Sequence, residues 1–244
     1  MSDVQIQGIT MKHVVSGQGE YVLIQSKSPL RTLNSSPWGG GFGFHTGLLN
    51  RQVDKSYNEN DPITEMSKFI IQEGLDPYVT AGMLTAARVR DVGSSSLSWK
   101  SDGDDSTNDR CEERLQVTAW VTVGLGNKAR AGVRLPASSL YPGTINSIVV
   151  INGCLTDAAM VNAVITATEA KVAALQDLDV RMDGLSATGT TTDAVLIAAT
   201  DRGRQYHYAG TATQLGYLIG RTVYEAIWIQ GENMEKSLTD NSRQ

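Results

Sequence analysis

Small polar side chains collect on both sides of one strongly helical pattern. Thr144 and Asn146 stand at the start of an apolar run, and Thr190 and Asp193 precede the next apolar run. Glu169 lies on the helical segment between the two runs. Hydroxyl, carboxamide and carboxylate groups recognise amides by hydrogen bonding, and a hydroxyl becomes a nucleophile when a base lies nearby. This concentration of side chains predicts a site that recognises an amide.

The position of Glu169 on its helix leaves two interpretations open. Asn162, Thr166 and Glu169 follow one another at i, i+4 and i+7, while Lys171 lies on the other side of the apolar stripe. The polar edge is therefore either part of the site or an ordinary solvated border. The stripe itself should pack on a sheet, and it consists of Val161, Val164, Ile165, Thr168, Val172 and Leu175.

A glycine run offers a second kind of contact. Gly39, Gly40 and Gly41 follow shortly after Ser36, and Phe42 separates them from Gly43. Glycine allows close approach of a ligand to the backbone and adopts positive φ without steric cost. We expect the Ser36 to Gly43 segment to contact a ligand.

A polar turn with three glycines follows a predicted strand in the sequence GLGNKARAG. Its third glycine is spaced wrongly for a dinucleotide-binding fingerprint, and no helix is predicted to begin there. Asn127 and Arg130 remain as candidate ligand contacts, because strand ends often carry them, although a plain turn is an equal alternative.

The elements that would position these residues can be predicted from periodicity. Apolar, β-branched runs predict strands at 116–123, 144–151 and 193–199, and helical spacing predicts helices at 158–178 and 213–229, the second stopping at Gly231. A shorter helix starts at Asp61, and the first third should form an antiparallel meander. Residues 93–109 carry almost no apolar side chains and predict a mobile surface loop.

Composition excludes several classes of protein. The chain has 244 residues, a net charge of −5 and no Lys/Arg run, which disfavours a nucleic-acid partner. No apolar run approaches the ~20 residues of a membrane helix, so we expect a cytoplasmic protein without a membrane partner. With two cysteines and three histidines, a metal cluster is hard to assemble, and we expect no metal or cofactor.

Unusual sequence words occur together in the order of one known family. PGTIN, TEAK and TGTTTDA follow one another between Pro142 and Ala194. Upstream stand NSSPWGGGFGFHTGLLNRQV, AGMLTAARV and TVGLGNKARAG. These segments resemble the adenosylcobinamide amidohydrolase family over nearly the whole chain, apart from the acidic loop and the residues after about Gly231.

The resemblance implies hydrolysis of the amide that joins the aminopropanol arm to the corrin ring of adenosylcobinamide, giving adenosylcobyric acid. Some family members also accept complete cobamides. The corrinoid is then the substrate of the protein and its expected small-molecule partner. A corrinoid carrier or sensor without catalysis is the alternative function.

For this reaction we assign Glu169 or Asp193 as general base or acid, with oxyanion donors near Gly143 and Thr144 or near Gly189 and Thr190. The competing mechanism uses Ser35, Ser36 or Thr144 as a covalent nucleophile. The residues expected to contact the substrate are Ser36, Gly39, Gly40, Gly41, Asn127, Arg130, Asn146 and Thr190.

The expected fold is one α+β domain over residues 1–231, with a mobile acidic loop at about 93–110 and a polar tail at 232–244. Its strands should be mixed or antiparallel, in layered sheets covered by helices. Because a corrin is broad and partly apolar, we expect a wide cleft lined by Trp38, Phe42 and Phe44, unless these aromatic side chains belong to the core. The sequence predicts neither strand order nor oligomeric state.

Overall fold

This computed structural model describes residues 6–99, 114–135 and 144–241, and it describes side chains up to residue 231. Long strands and helices account for most of these residues. The long strands are β1 (Ile9–Ser16), β2 (Gly19–Asn34), β3 (Gly41–Gln52), β4 (Thr80–Thr85), β5 (Gly93–Ser98), β6 (Gln116–Val123), β8 (Ile145–Asn152) and β13 (Ala194–Ala199). Two-residue strands are β7 (Lys128–Ala129), β9 (Cys154–Leu155), β10 (Arg181–Met182), β11 (Leu185–Ser186), β12 (Gly189–Thr190) and β14 (Gln205–Tyr206). The helices are α1 (Pro62–Gln72), α2 (Asp157–Asp177) and α3 (Gln214–Asn241).

The long strands form a mixed sheet of 8 strands within the described residues. Their order is β4, β3, β2, β13, β8, β6 and β5, and β1 pairs beside the first half of β2. The β3–β4 and β8–β13 pairs are parallel, and the other long pairs are antiparallel. A parallel pair needs a crossover connection, which α2 supplies between β8 and β13. The prediction of an α+β fold with mixed strands is confirmed.

The sheet bends so that its two halves pack face to face. Asn50 of β3 donates a hydrogen bond to Thr122 of β6 at 2.9 Å, although β2, β13 and β8 lie between these strands in the sheet order. Strand β2 belongs to both halves. Its ladder is irregular between Gln25 and Leu30, and only the residues after this point pair with β13.

Helices cover both outer faces of the folded sheet. Helix α1 buries Met66, Phe69 and Ile70 against one half. Helices α2 and α3 pack on β6, β8 and β13. In β8, Val149 contacts these helices while Ile148 faces the opposite half, as the two-residue period of a strand requires. The result is four layers: α1, two sheet layers, then α2 with α3.

Helix α2 has the predicted bounds to within one residue but presents a different face to the sheet. Val161 and Ile165 are 47% and 50% exposed, so the predicted apolar stripe was wrong at these positions. The buried face is rich in small residues, which let the helix axis approach the sheet and α3 closely. It contains Ala159, Met160, Ala163, Ala167, Ala170, Ala174 and Leu175.

Two predicted boundaries need correction. The segment expected to be a mobile loop begins with β5, whose serine-rich sequence pairs along β6, and residues 100–113 lie outside the described part. Helix α3 does not stop at Gly231 but continues to Asn241, within the expected polar tail. Its buried residues agree with the prediction: Leu215, Leu218, Ile219, Val223, Ala226 and Ile227.

Helix α2, with 21 residues, is also long and apolar enough to cross a membrane by length and composition alone. No apolar run of this length was expected from the sequence. A helix of a packed core passes the same test, and α2 lies against the sheet and α3. The signal is therefore weak.

The packing of β5 against α3 can be tested at Gly93. A Cβ at this position would overlap the carbonyl oxygen of Ala226 on α3. We expect Gly93→Ala to lower the free energy of unfolding by about 3 kcal/mol, the upper end for overpacking, because the clash is with backbone. Gly17→Ala is the control, since nothing lies within 4 Å of a Cβ there. Equal stability of both variants in urea titrations would show that the segment is not packed.

Candidate active site

The carboxylate of Asp193 accepts hydrogen bonds from four donors. Its Oδ1 accepts from the amide of Ile145 at 3.0 Å and from the hydroxyl of Thr190. Its Oδ2 accepts from Lys171 Nζ at 2.5 Å and from the amide of Thr190 at 3.1 Å. A carboxylate has about four lone-pair sites, so this one is saturated. The arrangement favours a positioning role for Asp193 over the general-base role assigned from the sequence.

The ion pair between Lys171 and Asp193 is largely buried. Their side chains are 9% and 12% exposed. Gly189 makes room for the pair, because a Cβ there would overlap Asp193 Oδ2 and lie 2.7 Å from Lys171 Nζ. Helix α2, the start of β8 and the β12 turn therefore meet at one carboxylate.

Thr144 and Asn146 connect this cluster to the other half of the sheet. The Thr144 hydroxyl donates to the carbonyl of Thr192 at 2.8 Å and lies 3.2 Å from Asn146 Oδ1. The Asn146 carboxamide donates to Asn50 Oδ1 at 2.9 Å and to the carbonyl of Leu84 at 2.8 Å. Thr144 is only 3% exposed, which disfavours it as a nucleophile.

A cavity of about 240 Å³ opens beside these residues. Its walls come from the turn after β2, from β4 and from the start of β8 and β13. The lining residues are Ser35, Ser36, Pro37, Trp38, Met83, Leu84, Asn146, Thr192, Asp193 and Ala194.

The two serines of the cavity differ in accessibility. Ser36 is buried, and its hydroxyl donates to the carbonyl of Gly82 at 2.8 Å. Ser35 is exposed, and its Oγ accepts the amide of Val195 at 2.9 Å. The Ser35 hydroxyl donates to no residue that the structure describes, so its proton is available to a ligand.

The glycine run contacts the protein rather than the cavity. A Cβ at Gly39 would lie 2.8 Å from Nε2 of His45, and one at Gly43 would lie 2.5 Å from its Cε1. A Cβ at Gly40 would lie 2.5 Å from a backbone oxygen, while Gly41 has φ +75° with open space around it. Gly39 and Gly43 thus leave room for the His45 imidazole. None of the four glycines lines the cavity.

The remaining predicted residues lie apart from the cavity. Glu169 is exposed in a groove between α2 and α3, and Asp193 does not line this groove. Asn127 donates to the Thr191 hydroxyl at 2.5 Å, and Arg130 donates to the Ser186 carbonyl at 2.6 Å, so both brace the segment that carries Thr190. In the described ranges, no three His, Cys, Asp or Glu side chains are grouped to hold a metal ion.

Lys171 is a site residue that was not expected from the sequence. The available signal was its place on the helical wheel, between Ala167 and Ala174 on the small-residue face. A lone lysine on such a face must bury its charge, which requires a partner.

The fold and the site define a class: a four-layer protein with helices outside two packed sheet layers and a polar, serine-containing cavity beside the sheets. Comparison with known proteins identifies the family. Residues 6–236 match the adenosylcobinamide amidohydrolase family, and the chain belongs to it. The resemblance found in the sequence words is confirmed.

Two relatives and one solved structure are similar to this chain. An adenosylcobinamide amidohydrolase of Methanosarcina mazei is 28% identical over 189 residues, 74% of this chain and 80% of that protein. An adenosylcobinamide amidohydrolase of Halobacterium salinarum is 36% identical over 117 residues, 46% of this chain and 48% of that protein. The PH0078 protein from Pyrococcus horikoshii OT3 shares the fold, with TM-score 0.54 and 12% identity over 92% of this chain and 84% of that chain.

The burial of the Lys171–Asp193 pair predicts a large cost for breaking it. Lys171→Met leaves the carboxylate without its charged donor and should lower the free energy of unfolding by about 3–5 kcal/mol. Arg221→Met is the control, because Arg221 pairs with Glu225 at 2.7 Å while 50% exposed, where about 1 kcal/mol or less is expected. Similar losses for both variants in chemical denaturation would contradict the buried pair.

Burial lowers the pKa of His45 below its ordinary value of 6.5, which predicts acid sensitivity. The unfolded chain then takes up a proton first as the pH falls, so stability is retained above pH 6.5 and lost below it. His45→Gln should flatten the fall in unfolding free energy between about pH 7.5 and 5.5. His207→Gln, at an exposed position, is the control, and an equal change in both variants would contradict this origin.

Proposed function

We propose that this protein hydrolyses the amide between the aminopropanol arm and the corrin ring of adenosylcobinamide, releasing adenosylcobyric acid and the amino alcohol. Family membership over residues 6–236 carries the proposal. The cavity supports it, because an accessible hydroxyl stands beside a fixed wall of amide and carboxylate groups. Complete cobamides carry the same linkage and fall within the proposal.

The reaction needs an oxygen nucleophile at the amide carbon and a proton for the departing amine. Ser35 is proposed to act at the carbonyl carbon, either by direct attack or by holding the attacking water. In direct attack, the serine oxygen bonds to carbon, the C–N bond breaks, the amine takes a proton, and water then hydrolyses the ester. Either route gives one carboxylate and one amine.

The choice of Ser35 follows from how the other candidate hydroxyls are used. Ser36 and Thr144 are buried, and each donates its proton to a backbone carbonyl at 2.8 Å. The Ser35 Oγ accepts a hydrogen bond from the backbone amide of Val195. This bond fixes the oxygen and leaves the hydroxyl proton free to point toward a ligand. An accessible hydroxyl held by a backbone donor suits attack at a bound amide.

Asp193 and Lys171 are proposed to position the cavity wall rather than to transfer protons. The amide of Thr190, assigned from the sequence as an oxyanion donor, already donates to Asp193 at 3.1 Å. Gly143, the other assigned donor region, lies outside the described residues. The Asp193 carboxylate accepts a hydrogen bond from the backbone amide of Ile145. This bond fixes the start of β8 and therefore the neighbouring Asn146.

Product analysis tests the activity directly. Incubation of the full chain with adenosylcobinamide should release adenosylcobyric acid and aminopropanol in equal amounts, measured by liquid chromatography with mass spectrometry. Binding of adenosylcobinamide without either product would overturn the proposal and favour a corrinoid carrier. Adenosylcobalamin and adenosylpseudocobalamin, assayed in parallel, define the substrate range.

A serine substitution tests the assigned role of Ser35. Ser35→Ala should lower kcat by at least about 100-fold while adenosylcobinamide still binds, because a positioned reacting group is lost. Ser28→Ala is the matched control, since Ser28 is exposed on β2 away from the cavity-lining residues. Near-normal turnover of a folded Ser35→Ala variant would exclude Ser35 from the chemistry.

A further inference from the structure

Two phenylalanines of β3 are exposed side by side. Phe42 is 50% and Phe44 is 60% exposed. Residues two apart on a strand project from the same face, so the two rings form one aromatic surface. Single exposed apolar side chains are common, whereas adjacent exposed rings form an apolar patch that can serve as a contact surface.

Strand register shows which side of the sheet carries the two rings. Phe42 pairs with Leu33, and Phe44 pairs with Arg31 on β2. Leu33 packs against the core beneath α2 and α3, and Arg31 reaches the start of α2. Directly opposed residues share a face, so both rings lie on the α2 side of the sheet. Helix α2 packs over β13 and leaves this end of β3 uncovered.

Arg31 of β2 contacts the aromatic surface formed by Phe42 and Phe44. Its guanidinium donates to the carbonyl of Leu155 and to the carboxylate of Asp157. The same group lies 5.7 Å from the centroid of the Phe42 ring, within the range of a cation–π contact. This contact favours one position of the Phe42 ring.

The aromatic surface begins where the cavity wall ends. The turn between β2 and β3 covers residues 35–40, and its first four residues line the cavity. Phe42 follows this turn after one residue, Gly41. Asp193, which lines the cavity, is held by Lys171 of α2, so this wall of the cavity also reaches the α2 side of the sheet.

The cavity is large enough for the aminopropanol arm of the substrate but too small for its corrin ring. Pockets for drug-sized ligands enclose about 300–1,000 Å³, and a corrinoid is larger than such ligands. A cavity of about 240 Å³ can admit the aminopropanol arm but not the macrocycle. The ring must then rest on the surface beside the cavity mouth.

We propose that Phe42 and Phe44 bind the flat, apolar face of the corrin macrocycle while the arm enters the cavity. This inference rests on the proposed function, because it takes adenosylcobinamide as the ligand. Aromatic rings bury large apolar area with little loss of side-chain freedom, which suits a rigid, flat ligand. Recognition of the ring is thus separate from cleavage of the arm.

The double variant Phe42→Ala/Phe44→Ala tests the site. We expect the KM for adenosylcobinamide to rise about 10- to 100-fold, the loss for two buried aromatic contacts, with kcat within about threefold of wild type. Equilibrium dialysis with cobinamide should show weaker binding by a similar factor. Ile63→Ala/Ile71→Ala is the control, because these side chains are 55% and 60% exposed on α1, which covers the other half of the sheet.

The outcomes separate this inference from the proposed function. Unchanged KM and cobinamide binding in a variant that still hydrolyses substrate would overturn the ring site and leave the hydrolase function standing. Absence of turnover in wild type, with cobinamide binding still weakened by the double variant, would support the ring site alone. A change in sedimentation without a change in cobinamide binding would assign the two rings to contact between protein copies and overturn the inference.

Discussion

The buried ion pair between Lys171 and Asp193 sets the geometry around the cavity. Burying a charge is costly unless it is paired and hydrogen-bonded, and here one carboxylate collects four donors from α2, β8 and the β12 turn. None of these elements can shift alone without leaving the charge unsatisfied. The position of the cavity wall is therefore decided when these elements pack, before a ligand binds.

The elements and part of the site follow from the sequence for a clear physical reason. Strand β6 has the bounds that its apolar run predicts, because both of its faces are buried. Thr144 and Asn146 meet Thr190 and Asp193 because β8 and β13 are parallel neighbours, which brings their starts to the same edge. A pattern of polar residues at strand starts was sufficient to find this cluster.

Other parts of the site depend on packing that residue type does not encode. Hydrophobicity selected Val161 for the buried face of α2, whereas close approach of the helix required alanines such as Ala163. That rotation turns Glu169 outward and Lys171 inward. The glycine run was equally ambiguous, since the missing side chain of Gly43 makes room for an imidazole ring of the protein and not for a ligand.

Strand β2 has a consequence for the way this fold forms and opens. Its 16 residues run through both sheet layers, pairing with β3 along most of their length and with β13 at their end. Separating the two layers would break the backbone hydrogen bonds that β2 makes with β3 or with β13. We therefore expect the two layers to unfold as one cooperative unit rather than to separate from each other.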